Sequence, residues 1–162
     1  MIRPARPADA PGVAAIWNPI IRDTAITFNS EEKSIVSLAE MIEGRQAAGH
    51  GFLVAETGGG IAGFATYSQF RGGVGYVRSY EHTVLLAPSA RGQGLGRALM
   101  QALLAHATAA GGHAMMAGVS GENDEGKAFH AAIGFEFIAR VPEVGWKFGR
   151  YMDLLLYQKI LT

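Results

Sequence analysis

Seven residues, Arg91-Gly92-Gln93-Gly94-Leu95-Gly96-Arg97, carry the clearest chemical signal in the chain. They follow an apolar segment that ends at Pro88 and precede an Ala- and Leu-rich stretch that begins near Leu95. A strand, a glycine-rich turn and a helix N-terminus, in that order, build an anion site. Backbone N–H groups are left without partners there, and the helix dipole adds partial positive charge. Glycine removes the Cβ atoms that would keep a pyrophosphate away from those amides. Arg91 and Arg97 bring guanidinium charge for phosphate oxygens. Spacing excludes two familiar anion binders. G-x-G-x-G is not the dinucleotide pattern G-x-G-x-x-G, and no Gly-Lys precedes a Ser or Thr as a nucleotide P-loop requires. A flexible turn with surface arginines is the plain alternative.

The elements that must position this turn read as alternating strands and helices. Ile2 and Arg3 open a short strand. Asp9 is the expected N-cap of a helix with Val13, Ile16, Trp17 and Ile20 at helical spacing, which Pro19 should kink or end. Residues 34–47 form a second helix, with Ile35, Leu38, Met41 and Ile42 on one face. Residues 52–56 and 61–70 make a hairpin across Gly58-Gly59-Gly60. Residues 71–80 are glycine-rich and ambiguous, and 80–87 form a strong strand. Residues 95–110 are the clearest helix, with Leu95, Leu99 and Leu103 along one face. Residues 114–119 form a buried strand, and 123–133 a helix closed by Gly134. Residues 135–140 and 152–160 are the last two strands.

Composition narrows the function. The 162 residues suit one domain, 1–162, with 49% apolar and 17% charged residues, enough for a sizeable core. Fourteen basic residues balance fourteen acidic ones, which disfavours nucleic-acid binding. The chain has no cysteine, so disulfides, thiolate metal sites and Cys nucleophiles are excluded. His50, His106 and His113 have no metal-ligand spacing and read as solvated positions; no metal is expected. No apolar run reaches membrane length and no signal-peptide core is present, so a soluble cytoplasmic protein is expected, with no membrane partner.

The turn, followed by Arg97-Ala98-Leu99, resembles the acyl-coenzyme A loop of the GNAT family of N-acetyltransferases. Asn123, His130, Gly134 and Phe135 fall at matching places in that family's last cofactor helix. The whole chain is similar to the phosphinothricin and methionine sulfoximine acetyltransferase subfamily. Ile16-Trp17-Asn18, Phe28, the strand Tyr80-Glu81-His82-Thr83-Val84 and the segment Val144-Gly145-Trp146-Lys147-Phe148-Gly149-Arg150-Tyr151-Met152-Asp153 carry that likeness. Three departures stand out. Gly126 replaces a Ser or Ala and removes a hydroxyl contact, Arg71-Gly72-Gly73 replaces a bulkier substrate loop, and Tyr151 replaces Trp.

The resemblance implies an α/β fold, a mixed and mostly antiparallel twisted sheet flanked by helices. It implies acetyl-CoA as acyl donor, held by Val84, Leu85, Leu86, Arg91, Gly92, Gln93, Gly94, Leu95, Gly96, Arg97 and Asn123. Arg71, Gly72, Gly73, Glu81 and His82 would meet the acceptor. Acyl transfer to an amine needs a base to take the ammonium proton, and Glu81, in an apolar strand, is the leading candidate. His130 is placed near the cofactor sulfur, where an imidazole could protonate the departing thiolate; a hydrogen-bonded helix histidine is the alternative. His82 should point to the opposite strand face from Glu81, which suits a structural hydrogen bond. Backbone N–H groups of Val84–Leu86 could stabilise the developing oxyanion.

Lys147, Arg150 and Arg71 are the cations available for an acceptor carboxylate. Trp146 and Tyr151 suit core or interface, and Leu154-Leu155-Leu156-Tyr157 either an interface or the inner sheet. The expected activity is direct acetyl transfer to the primary amine of a small amino acid or analogue, by a homodimer. Acetylation of a polyamine or peptide N-terminus, or a non-catalytic acyl-CoA sensor, are the alternatives.

Overall fold

The computed structural model describes residues 1–162. Strands β1 (Ile2–Pro4), β2 (Phe52–Thr57), β3 (Gly60–Gln69), β4 (Ser79–Leu86), β5 (Ala114–Ser120), β6 (Glu136–Lys147) and β7 (Arg150–Ile160) form one sheet. Their order is β1-β2-β3-β4-β5-β7-β6. All neighbours are antiparallel except β4 and β5. The helices are α1 (Ala10–Asp23), α2 (Ile35–Ala47), α3 (Leu95–Ala109) and α4 (Asp124–Ala132). The expected mixed, mostly antiparallel α/β architecture is the one observed.

Strand alternation splits the core into two layers. On one face, Val13, Ile16 and Trp17 of α1 and Leu38 and Ile42 of α2 pack on Phe52, Val54 and Phe64. On the other, Leu99, Met100 and Leu103 of α3 pack on Leu53, Tyr67, Tyr80 and Met115. Tyr80 and His82 therefore face α3 and α4, while Glu81 and Leu85 face the α1–α2 side.

The break in the sheet is what makes a site. β4 and β5 pair only through Ser79, Tyr80 and Glu81, opposite Ala114, Met115 and Met116. Beyond Glu81 the two strands part, and β4 keeps β3 on its other edge as far as Leu86. Alternate residues of an antiparallel strand turn their backbone groups away from the partner. Val84 and Leu86, which alternate away from β3, thus turn backbone groups toward the opening.

Several local expectations are corrected. Asp9 makes no cap bond to α1. Its carboxylate accepts two hydrogen bonds from Arg3, at 2.8 and 2.9 Å, and one from the Arg6 N–H. Pro19 does not end the helix, which runs on to Asp23. Pro19 itself is exposed, and the buried Ile20 and Ile21 beyond it carry the helix into the core. Ile35 is exposed rather than on the buried face of α2. β6 reaches Lys147, seven residues past the expected end at Arg140, because register shifts and the left-handed Glu143 hide its alternation. Leu154–Tyr157 is inner sheet, since β7 lies between β5 and β6.

Candidate active site

The glycine turn lies as its sequence requires. Gly92 and Gly94 adopt φ of 74° and 80°, left-handed values that other residues avoid. The first helical bond runs from the Ala98 N–H to the Gly94 carbonyl, leaving the N–H groups of Leu95, Gly96 and Arg97 without helical partners. Nothing crowds the α-carbons of Gly92 or Gly94, so the backbone is open to an approaching anion. Gly96 is different: a Cβ there would lie 3.2 Å from the Phe129 ring, so this glycine lets α3 pack on α4. Arg91 stands 3.8 Å from Glu125, and Arg97 is exposed. Gln93 turns back onto the Ser89 carbonyl at 3.0 Å.

A cleft of about 310 Å³ leads from Arg91 past Leu86, Gly96, Gly126 and Phe129. A second cavity, about 250 Å³, holds Glu81, His82, Thr83, Phe28, Gly118 and Leu154 among its walls. Ile26, Val84, Leu85, Asn123 and His130 line both, so the two meet at the opening between β4 and β5. Of the residues expected to hold the acyl donor, Val84, Leu85, Leu86, Arg91, Gly96 and Asn123 line the cleft. Gly92, Gln93, Gly94, Leu95 and Arg97 complete the turn and first helical turn beside it. A narrow arm ending in a phosphate-rich head suits this shape: open backbone edge at one end, open helix amides at the other.

Glu81 sits where the strands part. Its side chain is half-buried, and burial alone pushes its carboxyl above the usual range; no ion pair holds it down. Its Oε2 lies 2.9 Å from where a Cβ on Gly118 would be. Gly118 is a residue that sequence reasoning missed, as are Ser120 and Leu154 in the cavity wall.

His82 and His130 form one buried unit. Nδ1 of His130 is 2.7 Å from the Gly126 carbonyl, which can only accept, so Nδ1 carries the proton in the neutral ring. Its Nε2 is then the acceptor for His82 Nε2–H, 3.1 Å away. His82 Nδ1 is left buried with no partner. Burial drives His82 down to about 3 and lowers His130 as well. The structural hydrogen bond expected of His82 is observed. Both ring nitrogens of His130 are engaged within the protein, while the ring lines both cavities.

The remaining candidates separate. Arg71, Gly72 and Gly73 lie on an exposed loop outside both cavities, with the Arg71 guanidinium 5.8 Å from the Tyr76 ring. Gln69 holds this loop by donating to the carbonyls of Arg71 and Gly73 at 2.6 and 2.7 Å. Gln69 pairs with Tyr80, which puts the loop beside the Glu81 end of β4. Lys147 lines neither cavity; it is buried and donates to the carbonyls of Thr24 and Thr27. Arg150 pairs with Glu122 at the surface. Trp146 and Tyr151 are not core: they are 58% and 64% exposed and lie side by side on β6 and β7. His50 is not solvated but packed against Tyr67 and Tyr80, and His106 Nδ1 is 2.8 Å from the Tyr67 hydroxyl. No cluster of three or more His, Cys, Asp or Glu side chains forms a metal site.

Gly126 proves more than a lost hydroxyl. Asn123 caps α4 by accepting from the Gly126 N–H at 2.9 Å, and a Cβ on Gly126 would lie 2.4 Å from Asn123 Nδ2. The missing side chain is the space that Asn123 occupies as it lines both cavities.

The model of the Acetyltransferase (GNAT) family matches residues 17–135. The chain is 36% identical to the L-amino acid N-acyltransferase MnaT of Escherichia coli (strain K12), over 97% of this chain and 91% of that protein. It is 35% identical to the L-methionine sulfoximine/L-methionine sulfone acetyltransferase of Pseudomonas paraeruginosa (strain DSM 24068 / PA7), over 97% of this chain and 92% of that one. A crystal structure of a phosphinothricin acetyltransferase from Sinorhizobium meliloti in complex with acetyl-CoA has a TM-score of 0.93 at 30% identity, covering 99% of this chain and 88% of that chain. Likeness of that extent, in sequence as well as in shape, makes the chain a member of the acetyltransferase (GNAT) family.

Proposed function

We propose that this acetyl-CoA-dependent N-acetyltransferase acetylates the primary amine of a short amino acid such as methionine sulfoximine or phosphinothricin, with Glu81 as general base. One observation carries the reading: a half-buried carboxylate with no ion pair stands in a cavity that opens directly onto the acyl-donor cleft. Acetyl-CoA supplies an acetyl thioester. Its phosphates suit the open amides of residues 92–97 with Arg91 and Arg97 beside them, and its arm suits the free edge of β4. An ammonium in the acceptor cavity loses its proton to Glu81, directly or through a water, and the amine becomes nucleophilic. The N–H groups of Val84 and Leu86, turned away from β3, face the charge that develops on the thioester oxygen. No cysteine exists to carry the acyl group, so transfer is direct: the amine nitrogen bonds the acetyl carbon, the C–S bond breaks, and the coenzyme A thiolate leaves and takes up the proton the nitrogen gives up. His82 and His130 fix the wall between the two cavities. The named substrates of the relatives support the amino-acid acceptor.

An acceptor carboxylate needs a cation or several donors. Arg71, on the loop beside Glu81, is assigned that role. Kinetics with methionine sulfoximine and with its decarboxylated amine test it. The acid is expected to be the better substrate, with Arg71→Ala narrowing the gap. A better rate with the decarboxylated amine would move a polyamine-like acceptor ahead.

We further read residues 1–162 as one domain, since strands from Ile2 to Ile160 share one sheet. A homodimer is supported by the exposed Phe137, Ile138, Val144, Trp146, Phe148 and Tyr151 along the β6–β7 edge. No helix is long and apolar enough to cross a membrane; a cytoplasmic setting, where acetyl-CoA is made and used, completes the reading.

A further inference from the structure

The segment Val144–Arg150 carries much of the subfamily likeness, yet the chemistry above uses none of it. Two of its residues touch the acceptor cavity at one remove. The loop after α1 supplies Ile26, Thr27 and Phe28 to the cavity wall. This loop has no regular hydrogen-bond ladder, so something else must hold its backbone. Lys147 does so: its buried ammonium donates to Thr24 O at 2.7 Å and to Thr27 O at 2.8 Å. Two residues earlier, on the same face of β6, Gly145 is buried. A Cβ there would lie 2.6 Å from two carbons of the Phe28 ring. The ring rests directly on the β6 backbone, and any side chain at 145 would displace it.

We propose that Gly145 and Lys147 are positioning residues for the acceptor: together they seat the loop 24–28 against β6 and so set the shape of the acceptor cavity. This rests on the amino-acid acetyltransferase reading and adds to it the device that fixes acceptor fit. Lys147 is buried with carbonyl dipoles rather than a carboxylate as partners, and burial lowers its pKa. Its charge serves the loop and not the substrate. The cleft for the acyl donor draws its other walls from β4, α3 and α4, with Ile26 as its sole contribution from this loop. Loosening the loop should therefore act on the acceptor far more than on acetyl-CoA.

The test separates the seat from general destabilisation. Lys147→Met removes both donated bonds while keeping the length of the side chain. Gly145→Ala expels the ring. Each is expected to raise KM for methionine sulfoximine about tenfold or more, with acetyl-CoA affinity by calorimetry within about threefold. The coupling is read from a cycle with Phe28→Ala. Once the ring is gone, adding Gly145→Ala is expected to change KM by less than about twofold. Hydrogen exchange should quicken at the amides of residues 24–28 in Lys147→Met and stay unchanged in the sheet. Exchange reads the seat even if the acceptor is misassigned, whereas failure of the unmodified enzyme to acetylate the sulfoximine sinks the acceptor reading alone. The seat is overturned if Gly145→Ala has the same effect with and without Phe28, or if loop exchange in Lys147→Met matches the unmodified protein.

Discussion

Glu81 and Gly118 face each other across the point where the sheet divides, with the carboxylate Oε2 2.9 Å from the position a Cβ on Gly118 would take. β4 and β5 are still paired at Glu81, so the distance is fixed by the sheet rather than by a loop. Gly118→Ala should push the carboxylate from its place. We expect kcat to fall about tenfold, with acetyl-CoA affinity little changed, because a misplaced base loses rate without losing the donor site. Steady-state kinetics and calorimetry on the same preparation check both halves.

The glycine turn makes a separate prediction. Gly94→Val puts a branched side chain at a φ of 80°, where it is strained by about 1–3 kcal/mol, and beside the amides that an anion would approach. Acetyl-CoA should bind about tenfold or more weakly, with a modest loss of thermal stability. Unchanged affinity by calorimetry would remove the turn from donor binding.

The histidine pair predicts how stability depends on pH. An unfolded histidine protonates near 6.5. His82 is held down to about 3 in the fold, and His130 is lowered too. As pH falls below about 6.5 the unfolded chain takes protons that the folded chain refuses. Stability then declines by up to about 1.4 kcal/mol per pH unit for each such histidine, and it is flat in this respect above 6.5. His82→Gln should be less steep between pH 4 and 6.5 in urea unfolding. Equal slopes would show that the pair does not resist protonation.

Much of this site is legible in the sequence because it depends on local chemistry. Gly92, Gly94 and the α3 N-terminus form one contiguous signal, and the alternation of Glu81 and His82 onto opposite faces follows from strand geometry alone. What escapes is long-range. Lys147 looks like a substrate cation until the fold brings it to the carbonyls of Thr24 and Thr27, 123 and 120 positions away in the chain. Gly118 and Leu154 gain meaning only from their neighbours across the divided sheet. The far half of β6 is hidden by Pro142, the left-handed Glu143 and two register shifts, which break the period of two.

The exposed β6–β7 edge bears on assembly. Trp146 and Tyr151 lie side by side and face solvent, with ring centroids 4.8 Å apart and planes tilted by 58°. If a second copy covers them, Trp146→Lys should shift the sedimentation coefficient from dimer to monomer while leaving the fold intact by circular dichroism. A monomer before substitution would contradict the dimer.

The base assignment is tested most directly by Glu81→Gln, followed as kcat/KM for methionine sulfoximine against pH. The substitution keeps the shape and removes proton acceptance. We expect a fall of about 10²–10⁴-fold at neutral pH, with acetyl-CoA affinity retained. The acid limb of the unmodified enzyme, set above the ordinary carboxylate range by burial, should vanish in the variant. Stability supplies a control of opposite sign. A carboxyl with a raised pKa costs the fold stability once pH rises through it, so Glu81→Gln should melt no lower than the unmodified protein at pH 7. A stable, inactive variant with unimpaired donor binding is the predicted result; near-normal turnover across the pH range would contradict the account.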